Sequence, residues 1–333
     1  MTMLMNEQTA IGDDALGIEG LSLAIGTGEG AVPLLADVTV TVARGETVGL
    51  VGESGSGKSL TARAALGMVP RGSRATGTVV VGGLDVLAAG RRELRELRRT
   101  RAAMIFQDPR VSINPVRRIG DYLTEGMRAR GVRAKAATAR AQELLGQVGI
   151  RDPRRALRQY PHEFSGGMLQ RVMIAGALSA EPALLLADEP TTALDVTTQA
   201  EVIAVLKDLQ RVHGTGMLFV THDLDLAAAI CDRVYVMYAG RIVEESAGTS
   251  LFQAPAHPYT RALLEASPSV HGDRAAIKAI KGTPRALAET PSGCSFRDRC
   301  PLADDVCAAE VPAPRPYGKS LAACHHPEGD GAP

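Results

Sequence analysis

The hydrophobic pattern divides this chain into stretches of different character. Across residues 16–42, apolar positions alternate with polar ones and break at Gly26-Thr27-Gly28-Glu29-Gly30. Period two predicts strands and the glycines predict turns, so two or three antiparallel strands are expected here. Residues 76–83 add another short strand and turn. Residues 46–51, 102–106 and 216–220 read as short strands instead, and 183–187 is a continuous apolar run. Such runs suit strands covered on both faces, as in a parallel sheet. Helical periodicity fills residues 60–66, 91–101, 121–149, 168–180 and 196–211. Strands alternating with helices predict a mostly parallel α/β fold. Residues 233–237 and 241–244 read as a hairpin around Tyr238-Ala239-Gly240. Residues 1–15 read as a loose leader. Past Ala254 periodicity weakens and proline, glycine and alanine increase, which places a domain boundary there.

Punctuation at the strand ends brings in chemistry. Gly52-Glu53-Ser54-Gly55-Ser56-Gly57-Lys58-Ser59 fits G-x-x-x-x-G-K-[ST], the Walker A phosphate loop, between a buried strand and a helix. Its glycines let successive N–H groups point inward at phosphate. Lys58 supplies a cation for the β- and γ-phosphates, and Ser59 a hydroxyl for Mg²⁺. Asp188-Glu189 ends the apolar run 183–187, as a Walker B would. Asp188 then holds Mg²⁺ and Glu189 polarises the attacking water. Phosphoryl transfer needs positioning and charge neutralisation more than covalent help. Ser165-Gly166-Gly167 before a helix is a second anion-binding geometry, though a common turn by itself. His222 after the run 216–220 is equally ambiguous in isolation.

Composition narrows the classes. Of 333 residues, 37 are Lys or Arg and 37 are Asp or Glu, so no net field draws nucleic acid or anionic lipid. The Arg/Glu-rich residues 91–101 read as a solvated helix face, without the interleaved aromatics of a nucleic-acid patch. No apolar run approaches the ~18–20 residues of a membrane helix, and the start lacks the pattern of a secretory signal. A cytosolic chain keeps its thiols reduced, so clustered cysteines point to a metal. Cys294, Cys300, Cys307 and Cys324 cluster near the C-terminus; Cys231 reads as a core residue. Four thiolates suit a [4Fe–4S] cluster or a structural zinc ion, but the gaps exceed those of zinc knuckles.

Order and spacing together resemble the ATP-binding subunits of ABC transporters over roughly residues 15–255. The resemblance rests on the Walker A loop, Gln107 as Q-loop, Phe164-Ser165-Gly166-Gly167-Met168-Leu169-Gln170-Arg171 as signature, and Leu184–Asp188 with Glu189 as Walker B. It continues with Ala193-Leu194-Asp195 as D-loop and His222 as switch histidine. Tyr160-Pro161-His162-Glu163 before the signature resembles the D-type ATPases of oligopeptide, dipeptide and nickel importers. So do Pro190-Thr191-Thr192 after Walker B and His257-Pro258-Tyr259-Thr260-Arg261 further on. The resemblance implies a RecA-like P-loop NTPase core carrying an antiparallel β subdomain, with a helical insert at about 108–180. It also implies a C-terminal extension, 256–333, with a metal or iron–sulfur site, as in some relatives.

Further expectations follow from that family. ATP with Mg²⁺ is held by Gly52, Ser54, Gly55, Ser56, Gly57, Lys58 and Ser59, with the ion on Ser59, Gln107 and Asp188. Glu189, His222, Gln107 and Lys58 act in catalysis. Ser165, Gly166, Gly167, Met168 and Gln170 face a partner's ATP, with Asp195 in the D-loop. Partners are a second ATPase of F type, two permeases and an extracytoplasmic substrate-binding protein, at the cytoplasmic face of the membrane. The cargo is peptide, with nickel or another small solute as the alternative. A soluble ATPase acting on nucleic acid or ribosomes and a metal- or redox-sensing regulator are the readings from other classes. The family places an aromatic upstream of Walker A to stack on adenine. No Phe, Tyr, Trp or His precedes Phe106 here. Ile25 takes that position, and weaker base selectivity is expected.

Overall fold

The structure, a computed structural model, describes residues 14–191, 194–266 and 279–328. Most of the leader and Ala193 of the D-loop lie outside the described residues. β1 (Leu16–Ile25) and β2 (Val32–Val42) are the alternating strands, paired antiparallel from Leu16↔Val42 to Ile25↔Val32 with register shifts between Ile18 and Ala24. β3 (Thr47–Val51), buried at every residue, leads through the glycine-rich loop into α1 (Lys58–Ala64). β4 (Ser73–Val81) and β5 (Leu84–Asp85) complete a four-stranded sheet ordered β2-β1-β4-β5. The polar helix α2 (Arg91–Thr100) buries little besides Leu97.

β6 (Ala102–Ile105) delivers the chain to Gln107 and a helical insert. Its main helices are α3 (Ile119–Ala129), α4 (Ala134–Gln147) and α5 (Gly166–Leu178). Ile119, Leu123, Leu144, Leu145, Val172 and Ile174 are almost fully buried among them. At about 1.5–3 kcal/mol per buried aliphatic side chain, this packing holds the insert together. β7 (Leu184–Asp188), α6 (Val196–His213), β8 (Gly216–Thr221), α7 (Leu224–Ile230), β9 (Arg233–Tyr238) and β10 (Arg241–Ala247) follow. The large sheet has eight strands; β6, β7, β8, β3 and β9 run parallel and β10 returns antiparallel. β3, β7 and β8 are buried at every position, as unbroken apolar runs require. One apolar cluster lies between the two sheets, and the other joins the large sheet to the insert.

Beyond β10 the chain stays on the same scaffold. After α8 (Pro258–Ala266), β11 (Arg315–Tyr317) and β12 (Ser320–Ala322) form a hairpin, and β12 pairs with β10 through Glu244↔Ala322 and Ser246↔Ser320. Phe296, 1% exposed, sits 5.2 Å from the rings of both Tyr238 and Tyr259. The extension thus shares its core with the β9–β10 hairpin.

Candidate active site

The phosphate loop is shaped by glycine. Gly52 has φ +151°, and a Cβ there would meet the Met237 carbonyl oxygen at 2.1 Å, so no other residue fits under the end of β9. Lys58 opens α1 and is 4% exposed. Its ammonium donates to the Gly52 and Glu53 carbonyl oxygens, both at 2.8 Å, and so lies across the loop mouth. Burial lowers its pKa, against the opposing charges of Glu189, Asp188 and Glu53.

β7 brings the acids to this loop. Ser59 donates from Oγ to Asp188 Oδ1 at 2.6 Å, and Arg63 lies 3.7 Å from the other carboxylate oxygen. Burial raises the Asp188 pKa, and the Ser59 hydrogen bond opposes it. A hydroxyl and a carboxylate in contact form the oxygen set a Mg²⁺ ion takes. Glu189 has φ +46°, a strained backbone for a non-glycine residue, and its N–H donates to Val220 O at 3.0 Å. Strain of this kind costs about 1–3 kcal/mol and gathers at functional sites. Here it follows the end of β7 and turns the side chain toward Gln107 and His222. Gln107 Nε2 donates to Glu189 Oε2 at 2.8 Å, and His222 Nδ1 lies 3.5 Å from Oε1. β6, β7 and β8 thus deliver Gln107, Glu189 and His222 to one point.

A cavity of about 730 Å³ unites Ser54, Gly55, Gly57, Lys58, Ser59, Gln107, Glu189 and His222. Ser56 is buried behind it. Ile25 ends β1 at 39% exposure and is not among the residues lining this cavity. The apolar end is made by Pro33, Leu34, Ala286 and Leu287 instead.

The signature residues lie elsewhere. Ser165 caps α5, its Oγ accepting from Met168 N–H at 3.3 Å. Asp195 caps α6, accepting from the N–H and hydroxyl of Thr198. Ser165, Gly166, Gly167, Met168 and Asp195 line a second cavity of about 870 Å³ with Arg151 and Arg155. Gln170 is 2% exposed beneath it, its Nε2 without a hydrogen-bond partner. No residue lines both cavities.

The cysteines converge. Cys294 N–H donates to Cys307 O at 2.8 Å. Burial pushes the Cys324 thiol up to about 12, and the charges of Cys294, Cys300 and Cys307 add to the shift. The buried Cys231 packs against Gly49, apart from this group, as its apolar surroundings predict. Among the described residues, the donor set within 4.8 Å of one another is Asp304, Cys307 and His326, not the four thiols. Sequence reasoning missed how this extension grips the phosphate loop. Arg299, its side chain 4% exposed, binds both carboxylate oxygens of Glu53 at 2.6 and 3.0 Å. Glu53 N–H also donates to Tyr259 Oη at 2.9 Å. These partners stand 246 and 206 residues apart, so no local pattern announces them.

Known proteins share this arrangement. The ABC transporter profile matches residues 35–192, and that of the oligopeptide/dipeptide transporter C-terminal region matches 243–307. The oligopeptide transport ATP-binding protein OppD of Salmonella typhimurium is 42% identical over 313 residues, 94% of this chain and 93% of its own length. The probable D,D-dipeptide transport ATP-binding protein DdpD of Escherichia coli is 44% identical, over 94% of this chain and 97% of its own. Among solved structures, a dimeric ATP-binding cassette in a post-hydrolysis state with ADP and phosphate superposes with TM-score 0.62 at 26% identity. It spans 70% of this chain and 98% of its own. Fold, phosphate loop and near full-length identity agree: the chain belongs to the ABC transporter ATP-binding proteins, in the branch that carries the oligopeptide/dipeptide C-terminal region.

Proposed function

We propose that this chain is the ATP-hydrolysing subunit of a prokaryotic importer that powers uptake of di- and oligopeptides. Lys58 holds the triphosphate, exchanging its two carbonyl partners for phosphate oxygens. Ser59 and Asp188 supply oxygens to Mg²⁺, with Gln107 beside them. Glu189 orients the attacking water and takes up its developing positive charge. Gln107 and His222 hold that carboxylate from two sides, so its aim depends on both.

One observation carries the assembly. The phosphate-loop cavity and the signature cavity share no lining residue. A Ser165 cap therefore serves the nucleotide of a second module, in a head-to-tail pair. ATP favours the closed pair by contacts that the open pair lacks, and that difference is the energy passed to the permeases. The partner is an F-type ATPase, docked with this chain under two permeases at the cytoplasmic face, with an extracytoplasmic binding protein delivering peptide. Among the described residues no helix is long and apolar enough to cross a membrane, which suits a peripheral subunit.

We infer a [4Fe–4S] cluster on the four cysteines, whose charges reach one another in the tail. When bound, it would supply cross-links among the loops bearing Cys294, Cys300, Cys307 and Cys324. The trio Asp304, Cys307 and His326 favours a zinc ion as the second reading. A brown chain absorbing near 400 nm, bleached by Cys324→Ser, is expected from anaerobic purification. A colourless wild type containing zinc gives the site to the trio.

Transport is tested with Glu189→Gln in vesicles carrying the permeases and the binding protein. ATP should stay bound while turnover falls about 100-fold or more and labelled tripeptide uptake stops. Undiminished uptake would remove Glu189 from its role.

A further inference from the structure

The phosphate-loop cavity is chemically split. One end holds Lys58, Ser59, Gln107, Glu189 and His222. The other holds Pro33, Leu34, Ala286 and Leu287, whose side chains carry no polar atom. The first two belong to β2. The last two come from the C-terminal extension, where Leu287–Glu289 form a single 3-10 turn.

That turn is built rather than draped. Glu289 N–H donates to Ala286 O at 2.9 Å, and Thr290 Oγ1 donates to Leu287 O at 2.7 Å. Arg285 donates to Glu289 O at 3.0 Å and pairs with Asp298 at 3.0 Å, which ties the turn to the cysteine-bearing loops. Leu287 itself rests on Gly240. A Cβ at Gly240 would meet Leu287 Cδ2 at 3.2 Å and Leu34 O at 2.5 Å, and φ there is +75°. Gly240 N–H donates to Ser56 O at 2.8 Å, and Gly240 O accepts from Ala36 N–H at 2.9 Å. One glycine thus ties the phosphate loop, β2 and the turn into a fixed spacing. Leu287 is only half-buried in that packing, which leaves one face toward the cavity.

We propose that the Ala286–Leu287 turn is the wall on which the base of the bound nucleotide packs. An apolar contact from the C-terminal extension replaces the aromatic that is absent upstream of the phosphate loop. The inference rests on reading this cavity as the ATP site. Apolar side chains grip either purine face alike, because they offer no donor or acceptor to tell adenine from guanine. The extension therefore reports on, and contributes to, nucleotide occupancy in the same chain.

The experiment is calorimetric titration of the full chain with Mg²⁺ and three probes: ATP, GTP and inorganic tripolyphosphate, which has no base. ATP and GTP should bind wild type within about threefold of each other, and Leu287→Asp should weaken both about tenfold by removing apolar contact and adding a charge. Tripolyphosphate affinity should stay within about twofold, because its sites are Lys58 and the loop amides. Unchanged ATP affinity in Leu287→Asp overturns the proposal. If that variant loses all three probes, Leu287→Ala and Leu287→Phe decide. ATP affinity rising from Ala through Leu to Phe at constant tripolyphosphate affinity supports the wall, and a flat series overturns it. A wild type that binds neither ATP nor tripolyphosphate overturns the reading of the cavity itself.

Discussion

The phosphate-loop cavity and the signature cavity both sit where loops enter helices, but their polar groups are spent differently. In the first, side chains from separate elements bind one another: Ser59 with Asp188, and Gln107 and His222 with Glu189. In the second, the signature and D-loop groups bind locally. Ser165 caps its own helix and Asp195 caps its own, while Arg171 pairs with Glu201 on the neighbouring helix. The first is a preorganised reaction site, with its groups aimed before substrate arrives. The second is a surface whose polar groups serve as caps of their own helices. The difference teaches that bonds between separate elements aim the groups of one cavity, while local helix caps shape the other.

The contrast is broken most severely at Lys58. Lys58→Ala removes a buried charge-assisted contact and should weaken ATP binding about 100-fold or more by equilibrium titration, with the signature cavity intact. Ser165→Glu sharpens the contrast from the other side. In the proposed head-to-tail pair a carboxylate there meets the partner's triphosphate and should cut turnover about 100-fold, while the isolated chain binds ATP as before. Equal loss of ATP binding in the isolated chain would merge the two cavities into one site.

The mildest perturbation touches neither cavity. His257 is fully buried, with Nδ1 accepting from Tyr259 N–H at 3.0 Å, and burial pulls its pKa down to about 4. The unfolded chain binds this proton near pH 6.5, so the folded state binds fewer protons between the two values. Stability from a neutral His257 is therefore complete above about pH 6.5 and declines as pH falls toward about 4, by up to about 1.4 kcal/mol per unit. Thermal denaturation should show Tm falling over that window, with less slope in His257→Phe. Both cavities should fail together as it falls.

The phosphate-loop, acidic and signature motifs were legible because each is written locally. Gly52–Ser59, Asp188-Glu189 and Ser165-Gly166-Gly167 each join a strand or loop to a helix at fixed spacing, and the fold places them as that spacing implies. The parallel sheet was legible in its unbroken apolar runs. Contacts without local grammar were not. Nothing in residues 284–290 announces that Leu287 meets Gly240, and nothing around Arg299 announces Glu53. Chain position relative to Walker A fixes the strand that Ile25 ends, but the Ala286 and Leu287 part of the cavity wall is set by which distant segment folds over β2. The strained φ of Glu189 was also invisible, because it arises from how β7 ends against β8 rather than from residue type.

The pairing of β12 along β10 has a consequence for any shortened form of this protein. β10 would otherwise be the rim of the large sheet, its amides and carbonyls open to whatever strand drifted past. The cysteine-rich tail therefore acts as a selvedge, the finished border that keeps a woven cloth from unravelling or catching on its neighbour. Cut the chain after Ala247, and the fabric that carries the nucleotide acquires a raw hem, ready to be stitched to other copies of itself.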